Sequence, residues 1–296
     1  MVKKLLYQLD SDARPSIFDN VVAYDGGADQ VISFGGVLPQ DLSSMAQGAI
    51  FTRAPKDKKN TAFFIGGSNL VQGEKLLEVL QSHFYGNFSV SVMIDTNGAN
   101  TTASALVAML SRTRSLEGLQ AVVLAGTGPV GQRVSTLLAS EGCRVVFTGR
   151  DDSKNQFCEQ TISQRFGLSV QSRVLTDNQV RQELLQKADI VVATGASGVI
   201  LLSRDEWSFL PNLKLLADAS AAEQGGIEGI DQMDKGVTYG SIMAFGAIGF
   251  GPLKLAVHRA CVAQLFENNK QVLDVFEIYA KAKELVGQFY SGGQST

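Results

Sequence analysis

At 296 residues the chain is long enough for one large domain or two ordinary ones, with an ample core. Apolar residues make up 45% and charged residues 19%, the balance of a soluble globular protein, and a formal net charge of −3 gives no electrostatic footprint for nucleic acid. No apolar run is long enough to span a bilayer and the first apolar stretch is too short for a signal peptide, so the cytoplasm is the expected location.

Residues 4–9 read as a first strand and residues 10–15 as a loop. The run 18–29 starts helical or extended and ends in a glycine turn carrying Tyr24, Asp25 and Asp29. Residues 38–48 suit a short helix with Pro39 in its first turn, and Thr61–Gly66 a buried strand. The spacing of Leu70, Leu76, Leu77 and Leu80 predicts a helix over 69–83. Residues 88–95 alternate apolar positions and end in the polar cluster 95–102, after which a helix runs to about Arg112. Strands separated by helices imply parallel pairing, and open parallel sheets gather ligands beyond the carboxyl ends of their strands. The clusters 24–29 and 95–102 both follow apolar runs, so both are expected there.

The strongest local signal is the stretch 121–150. An apolar run feeds Gly126-Thr127-Gly128-Pro129-Val130-Gly131, which opens a helix that returns to a second strand ending Gly149-Arg150. In this GxGxxG turn Gly126 permits the tight turn, Gly128 lets a pyrophosphate approach the backbone, and Gly131 lets helix and strand pack closely. Pro129 fits a first helical position, and the pyrophosphate would sit on the helix N-terminus. Arg150, with Lys154 one helical turn on, suits the extra phosphate of NADP, whereas an NAD site places a carboxylate there. Asp151 and Asp152 keep NAD use open.

A helix over 151–167, a strand over 168–174 and a helix over 176–186 follow. Buried strands over 189–196 and 213–218 end at Thr194, Gly195, Ala196 and Asp218, where ribose and nicotinamide contacts are expected. Residues 240–251 are glycine-rich and enter an amphipathic helix on which Lys254 and His258, four apart, share a face. The tail from Gly292 is expected to fray. The fold class is therefore α/β with two domains. A Rossmann-type NADP-binding domain spans 116–251, and a smaller α/β substrate domain spans 1–115 and is completed by 252–290. Cys143, Cys158 and Cys261 lack any C-x-x-C spacing, which indicates neither a disulfide framework nor a zinc site. Only His83 and His258 are histidines, so any chemistry must manage with few acid–base groups.

Four blocks in one order carry a family resemblance over nearly the whole chain. They are Phe18-Asp19 through Tyr24-Asp25-Gly26-Gly27-Ala28-Asp29; Ile94-Asp95-Thr96-Asn97-Gly98-Ala99-Asn100-Thr101-Thr102; Ala125 through Gly131; and Ala244-Phe245-Gly246-Ala247 with Leu253-Lys254-Leu255 and His258-Arg259-Ala260-Cys261. The sequence resembles the NAD(P)-dependent methylenetetrahydromethanopterin dehydrogenases of bacterial one-carbon metabolism. That resemblance implies a layout like the methylenetetrahydrofolate dehydrogenases, a pterin in the cleft between the two domains, and a homo-oligomer, trimer or hexamer. It implies hydride transfer from methylenetetrahydromethanopterin to NADP, giving the methenyl form, in formaldehyde oxidation. Folate-pathway relatives with cyclohydrolase activity carry Tyr-x-x-x-Lys; here Tyr24 is followed by Ala28, which argues against that activity.

Hydride leaves a carbon held between two nitrogens whose lone pairs stabilise the cation, so the step needs no general base. Asp95 and Lys254 are accordingly expected as positioning and electrostatic groups. Asp19, Tyr24, Asp25, Asp29, Asn97, Asn100, Thr101 and His258 are expected to contact substrate, with no metal involved. Three alternatives stay open: a methylenetetrahydrofolate dehydrogenase, a shikimate-type dehydrogenase, and a non-catalytic NADP-sensing protein.

Overall fold

In the computed structural model, residues 2–175, 177–222 and 225–289 are described; the tail from Gly292 lies outside them. The first half of the chain runs β1 (Leu5–Asp10), α1 (Ile17–Asp25), β2 (Gln30–Phe34), α2 (Leu42–Phe51), β3 (Thr61–Gly66), α3 (Leu70–Ser82), β4 (Ser91–Ile94) and α4 (Ala99–Thr113). Then come β5 (Gln120–Leu124), α5 (Pro129–Ser140), β6 (Arg144–Gly149), α6 (Asp152–Phe166), β7 (Gln171–Val174), α7 (Asn178–Leu185) and β8 (Ile190–Ala193). The chain closes with α8 (Arg204–Ser208), β9 (Leu215–Asp218), β10 (Lys235–Tyr239), β11 (Ile242–Phe245), α9 (Ala247–Gln264), β12 (Val272–Leu273) and α10 (Val275–Phe289).

These elements form two compact units, Met1–Thr101 with Leu255–Lys281, and Thr102–Lys254 with Ala282–Thr296. The division falls inside α4, not after it as the sequence suggests. Seven apolar side chains between Ala103 and Leu110 are fully buried, so no polar linker marks the change of unit.

The first unit holds a five-stranded sheet in the order β12-β4-β3-β1-β2, parallel throughout. With β12 counted as its fifth strand this is the doubly wound order 2-1-3-4-5, whose direction reverses between β1 and β3. All six positions of β3 are buried, as its continuous apolar run requires of a central parallel strand. Leu9, Phe63, Ile65, Leu76, Leu80 and Ile94 form part of its core. Asn69 caps α3 by accepting a hydrogen bond from the Gln72 amide at 3.1 Å. The edge strand β2 has no counterpart in the sequence reading. Only its Val31 and Ile32 are even half-buried, so an apolar pattern never develops.

The second unit holds a seven-stranded sheet in the order β10-β11-β9-β8-β5-β6-β7. Six strands are parallel in the classic 3-2-1-4-5-6 dinucleotide order, and β10 adds an antiparallel edge. The glycine-rich segment 240–251 resolves into a hairpin and a helix start. Gly240 turns the hairpin at φ 64°, and α9 begins at Ala247, six residues before the predicted helix. A Cβ on Gly246 would collide with the Asp231 carbonyl, and one on Gly249 with that of Asp234. The loop 231–234 thus lies against this helix start, and the Gln232 carbonyl accepts the Ile248 and Gly249 amides. Among the described residues no helix is long and apolar enough to cross a membrane. Burial pushes the Cys143 thiol up to about 12 and that of Cys158 to about 11, which keeps both protonated.

Candidate functional site

The second unit carries a cavity of about 510 Å³ beyond the carboxyl ends of β5, β6, β7 and β8, at the point where its strand order reverses. Thr127, Gly128, Gly149, Arg150, Thr194, Gly195 and Ala196 line it. Two of the three glycines of the turn have a steric reason of their own, and the third stands in open space. The left-handed residue is Ala125 at φ 56°, so Gly126 does not supply the turn itself; its Cβ would stand 2.6 Å from the Phe147 Cβ. On Gly131 a Cβ would reach 2.5 Å from the Gly126 Cα and 2.7 Å from the Thr194 Oγ1. On Gly128 it would meet nothing within 4 Å.

Gly128 is also the N-cap of α5, with Pro129 at the start of the helix and Val130 beside it in the first turn. The open space at Gly128 and the unbonded amides of a helix start are the features a pyrophosphate needs, so these residues fit a dinucleotide. Thr194 secures β8 to the turn by donating to the Leu124 carbonyl at 3.0 Å.

Two predicted cofactor contacts stand apart from this cavity. Lys154 is exposed on α6, where its amide is capped by Asp151 at 3.1 Å, and it does not line the cavity. Asp218 is buried at the tip of β9, where its carboxylate accepts the amides of Ser220 at 2.9 Å and Ile227 at 3.2 Å. It closes its own loop and is spent on that task. Burial pushes its carboxyl above the usual range against the pull of those backbone bonds.

In the first unit the strand order reverses between β1 and β3, and a buried polar cluster sits at those two tips. Asp10 ends β1, paired with Gly66 at the end of β3. A Cβ on Gly66 would stand 3.3 Å from the Asp10 Oδ2 and 3.5 Å from the Asp19 Oδ2, so two carboxylates flank one glycine. The Asp10 carboxylate accepts the amides of Asp12 at 2.8 Å and Ser16 at 3.1 Å, and burial still holds its carboxyl above the usual range. The sequence assigns Asp10 to a loop, whereas it ends β1; its position as the first acidic residue after an apolar strand is the signal that marks it.

Asp95 follows β4, fully buried, and accepts the Thr101 amide at 3.0 Å and hydroxyl at 2.6 Å. Its Oδ2 is 3.9 Å from the Nδ1 of buried His258, whose ring stacks on Phe64 at 5.3 Å and 18°. Asp95 is therefore a clamp on the first turn of α4 and beside His258, a positioning group rather than an open carboxylate. Asn100 donates to the Ile94 carbonyl at 2.7 Å and to Asp274 at 3.2 Å, so it and Thr101 are buried in the protein's own bonding. Asn97 differs. It is exposed at the tip, left-handed at φ 57°, with its amide donated to the Gly67 carbonyl at 2.6 Å. Lys254 is half-buried on α9, one turn before His258.

Tyr24, Asp25 and Asp29 are not at the strand tips. Helix α1 runs back along the sheet, so the turn after it lies at the amino ends of the strands. There Asp29 accepts the Lys4 amide at 2.7 Å just ahead of β1, the Tyr24 hydroxyl accepts the Val31 amide at 3.4 Å, and exposed Asp25 pairs with Arg259 at 2.8 Å. The sequence expectation for the run 18–29, helical or extended at its start, places all three at the wrong end of the sheet.

A family model described as methylene-tetrahydromethanopterin dehydrogenase, N-terminal, matches residues 17–97. That span starts with α1 and ends at the β4 tip, so it holds Asp19, Gly66 and Asp95. The bifunctional protein MdtA of Methylorubrum extorquens is 46% identical over 287 residues, covering 96% of this chain and all of the relative. The chain belongs to the methylenetetrahydromethanopterin dehydrogenase family. A second relative from the same organism, NAD(P)-dependent methylenetetrahydromethanopterin dehydrogenase, is 29% identical across 97% of this chain and all of its own. Among solved structures, 5-ketofructose reductase of a Gluconobacter strain covers 96% of this chain and 99% of its own, with 13% identity and a TM-score of 0.53. Ornithine carbamoyltransferase from Pyrococcus furiosus covers 89% of this chain and 83% of its own, with 11% identity and a TM-score of 0.50. At such identities both show the fold alone.

Proposed function

We propose that this chain oxidises methylenetetrahydromethanopterin to its methenyl form and passes the hydride to NAD(P), with NADP preferred. The observation that carries this reading is the carboxylate cluster at the β1 and β3 tips, of which Asp19 and Gly66 lie inside the span 17–97 that matches the family model. Carboxylates are the natural acceptors for the amino and ring N–H groups of an aminopyrimidinone edge. Asp19 supplies that acceptor character, Asp10 beside it is committed to the amides of Asp12 and Ser16, and exposed Asn97 adds a neutral partner beside the β3 tip. Asp95 acts through the first turn of α4 and His258, not by taking a proton.

When bound, the nicotinamide accepts the hydride. Everything else asked of the protein is orientation and exclusion of water, because the developing cation is stabilised by the pterin's own nitrogens. In the second unit the turn at Gly128 receives the pyrophosphate and Arg150 reads the phosphate that distinguishes NADP from NAD. We also infer a homo-oligomer in the cytoplasm.

The test is purified protein with NADP or NAD and the methylene form of each carrier, tetrahydromethanopterin and tetrahydrofolate. Reduced cofactor should appear with the methanopterin carrier and with a lower KM for NADP than for NAD. Absence of reduction with either carrier would overturn the reading.

A further inference from the structure

The cofactor cavity has a second arginine that its sequence pattern gives no reason to notice. Moving outward from the glycine turn, the wall passes the tip of β6 and then that of β7, since Gly149 pairs with Val174. There Val174 and Leu175 at the β7 tip and Val199 and Leu201 of the segment after β8 line the same cavity with apolar side chains, and Arg181 of α7 joins its wall. In a dinucleotide site this is where the base goes, past the pyrophosphate and the ribose.

Arg181 is held rigidly. Its Nε donates to the Glu206 Oε1 at 2.5 Å, and its Nη2 to the Glu206 Oε2 at 3.4 Å and to the Leu201 carbonyl. Glu206 is fixed in turn by the Ser203 amide at 2.8 Å and hydroxyl at 2.9 Å, in the capping box of α8. Burial pushes the Glu206 carboxyl up, but the bonds from Arg181 and Ser203 outweigh it and hold the group below its usual range. The pair is thus ionised and neutral overall. The Arg181 Nη1, with two N–H groups, has no protein partner among the described residues. Arg150, by contrast, is exposed and makes no ion pair among the described residues, so its charge is uncompensated.

We propose that Arg181 reads the adenine base, while Arg150 alone discriminates for the 2′-phosphate. A guanidinium balanced by a carboxylate exerts little net attraction on a phosphate. Its planar face and two remaining donors suit a neutral ring with nitrogen acceptors. The assignment rests on the dinucleotide reading above and divides its labour between two cations.

Calorimetry on the full-length protein with AMP, adenosine 2′,5′-bisphosphate, NAD and NADP tests this without any pterin. Arg181→Ala should weaken all four by a common factor of about tenfold, the scale of a lost hydrogen bond to a charged group. Arg150→Ala should weaken only the two ligands with a 2′-phosphate. Glu206→Gln should unmask the Arg181 charge and raise the NADP-to-NAD affinity ratio. Arg181→Lys keeps a partner for Glu206 but loses the planar fork, so it should melt like the wild type and still weaken AMP; it decides the matter if the alanine variant fails to fold. Selective loss of NADP over NAD in either Arg181 variant, or unchanged AMP binding in Arg181→Lys, overturns the proposal. If the wild type binds none of the four ligands, the dinucleotide site itself is refuted, an outcome separate from a failed division of labour.

Discussion

Gly128 and Gly131 sit three residues apart in one turn and have opposite reasons to be glycine. A Cβ at position 131 would press on backbone atoms of Gly126 that cannot give way, so Gly131→Ala should cost about 1–3 kcal/mol of stability. At position 128 the same Cβ meets open space, so Gly128→Ala should leave the melting temperature unchanged and still abolish dinucleotide binding. Calorimetry and thermal melts on the two variants separate the roles; equal loss of stability in both would contradict them. Charge at single residues gives a second test. Asp218 is raised by burial, so its folded form holds a proton more tightly than the unfolded chain does, and it favours folding more at acid than at neutral pH. At Asp189 burial pulls upward too, but Lys214 and the Gln120 amide outweigh it and lower the carboxyl, so its contribution is lost as the pH falls. Melting temperatures taken down through the carboxylate range should therefore show the wild type gaining on Asp218→Asn and losing ground to Asp189→Asn. Parallel pH profiles would refute both assignments.

At the scale of elements, α1 decides which carboxylates can meet a substrate. Asp19 in its first turn lies at the strand tips, whereas Asp25 at its end lies at the opposite edge of the sheet. Asp19→Asn should raise the KM for the pterin about tenfold or more, as expected for a lost charge-assisted bond, while leaving the KM for NADP alone. Asp25→Ala breaks only an exposed pair with Arg259, worth about 1 kcal/mol at most, and should leave both constants within a few-fold. A larger effect from Asp25→Ala in steady-state kinetics would restore the sequence-based assignment. Elements whose physics is local were legible: Thr61–Gly66 from its unbroken apolar run, α3 from its leucines and the Asn69 cap, and β5-α5-β6 from the glycine turn. The rest depends on tertiary context. The β2 edge strand shows no apolar pattern, and α9 starts early because the loop 231–234 caps it. Which end of the sheet receives Tyr24 follows only once α1 is known to be helical throughout.

At the scale of the molecule, one wholly parallel sheet and one parallel but for its β10 edge each contain a point where strand order reverses, with the carboxylate cluster at the first and the glycine turn at the second. The second was readable from the GxGxxG turn alone. The first was not, because its order is completed by β12, a two-residue strand that pairs Val272 with Val92 from far down the chain. Asp95 illustrates the limit: sequence placed it at a strand tip, and the fold then committed both of its oxygens to Thr101. The proposed function assigns no group to move a proton, and that has one chemical consequence. The hydrogen that leaves the methylene carbon must arrive on the cofactor without exchanging with water. Mass spectrometry of the reduced cofactor, after a turnover with dideuterated methylenetetrahydromethanopterin and NADP in ordinary water, measures this directly. The account predicts reduced NADP carrying one deuterium; reduced NADP without deuterium would contradict it.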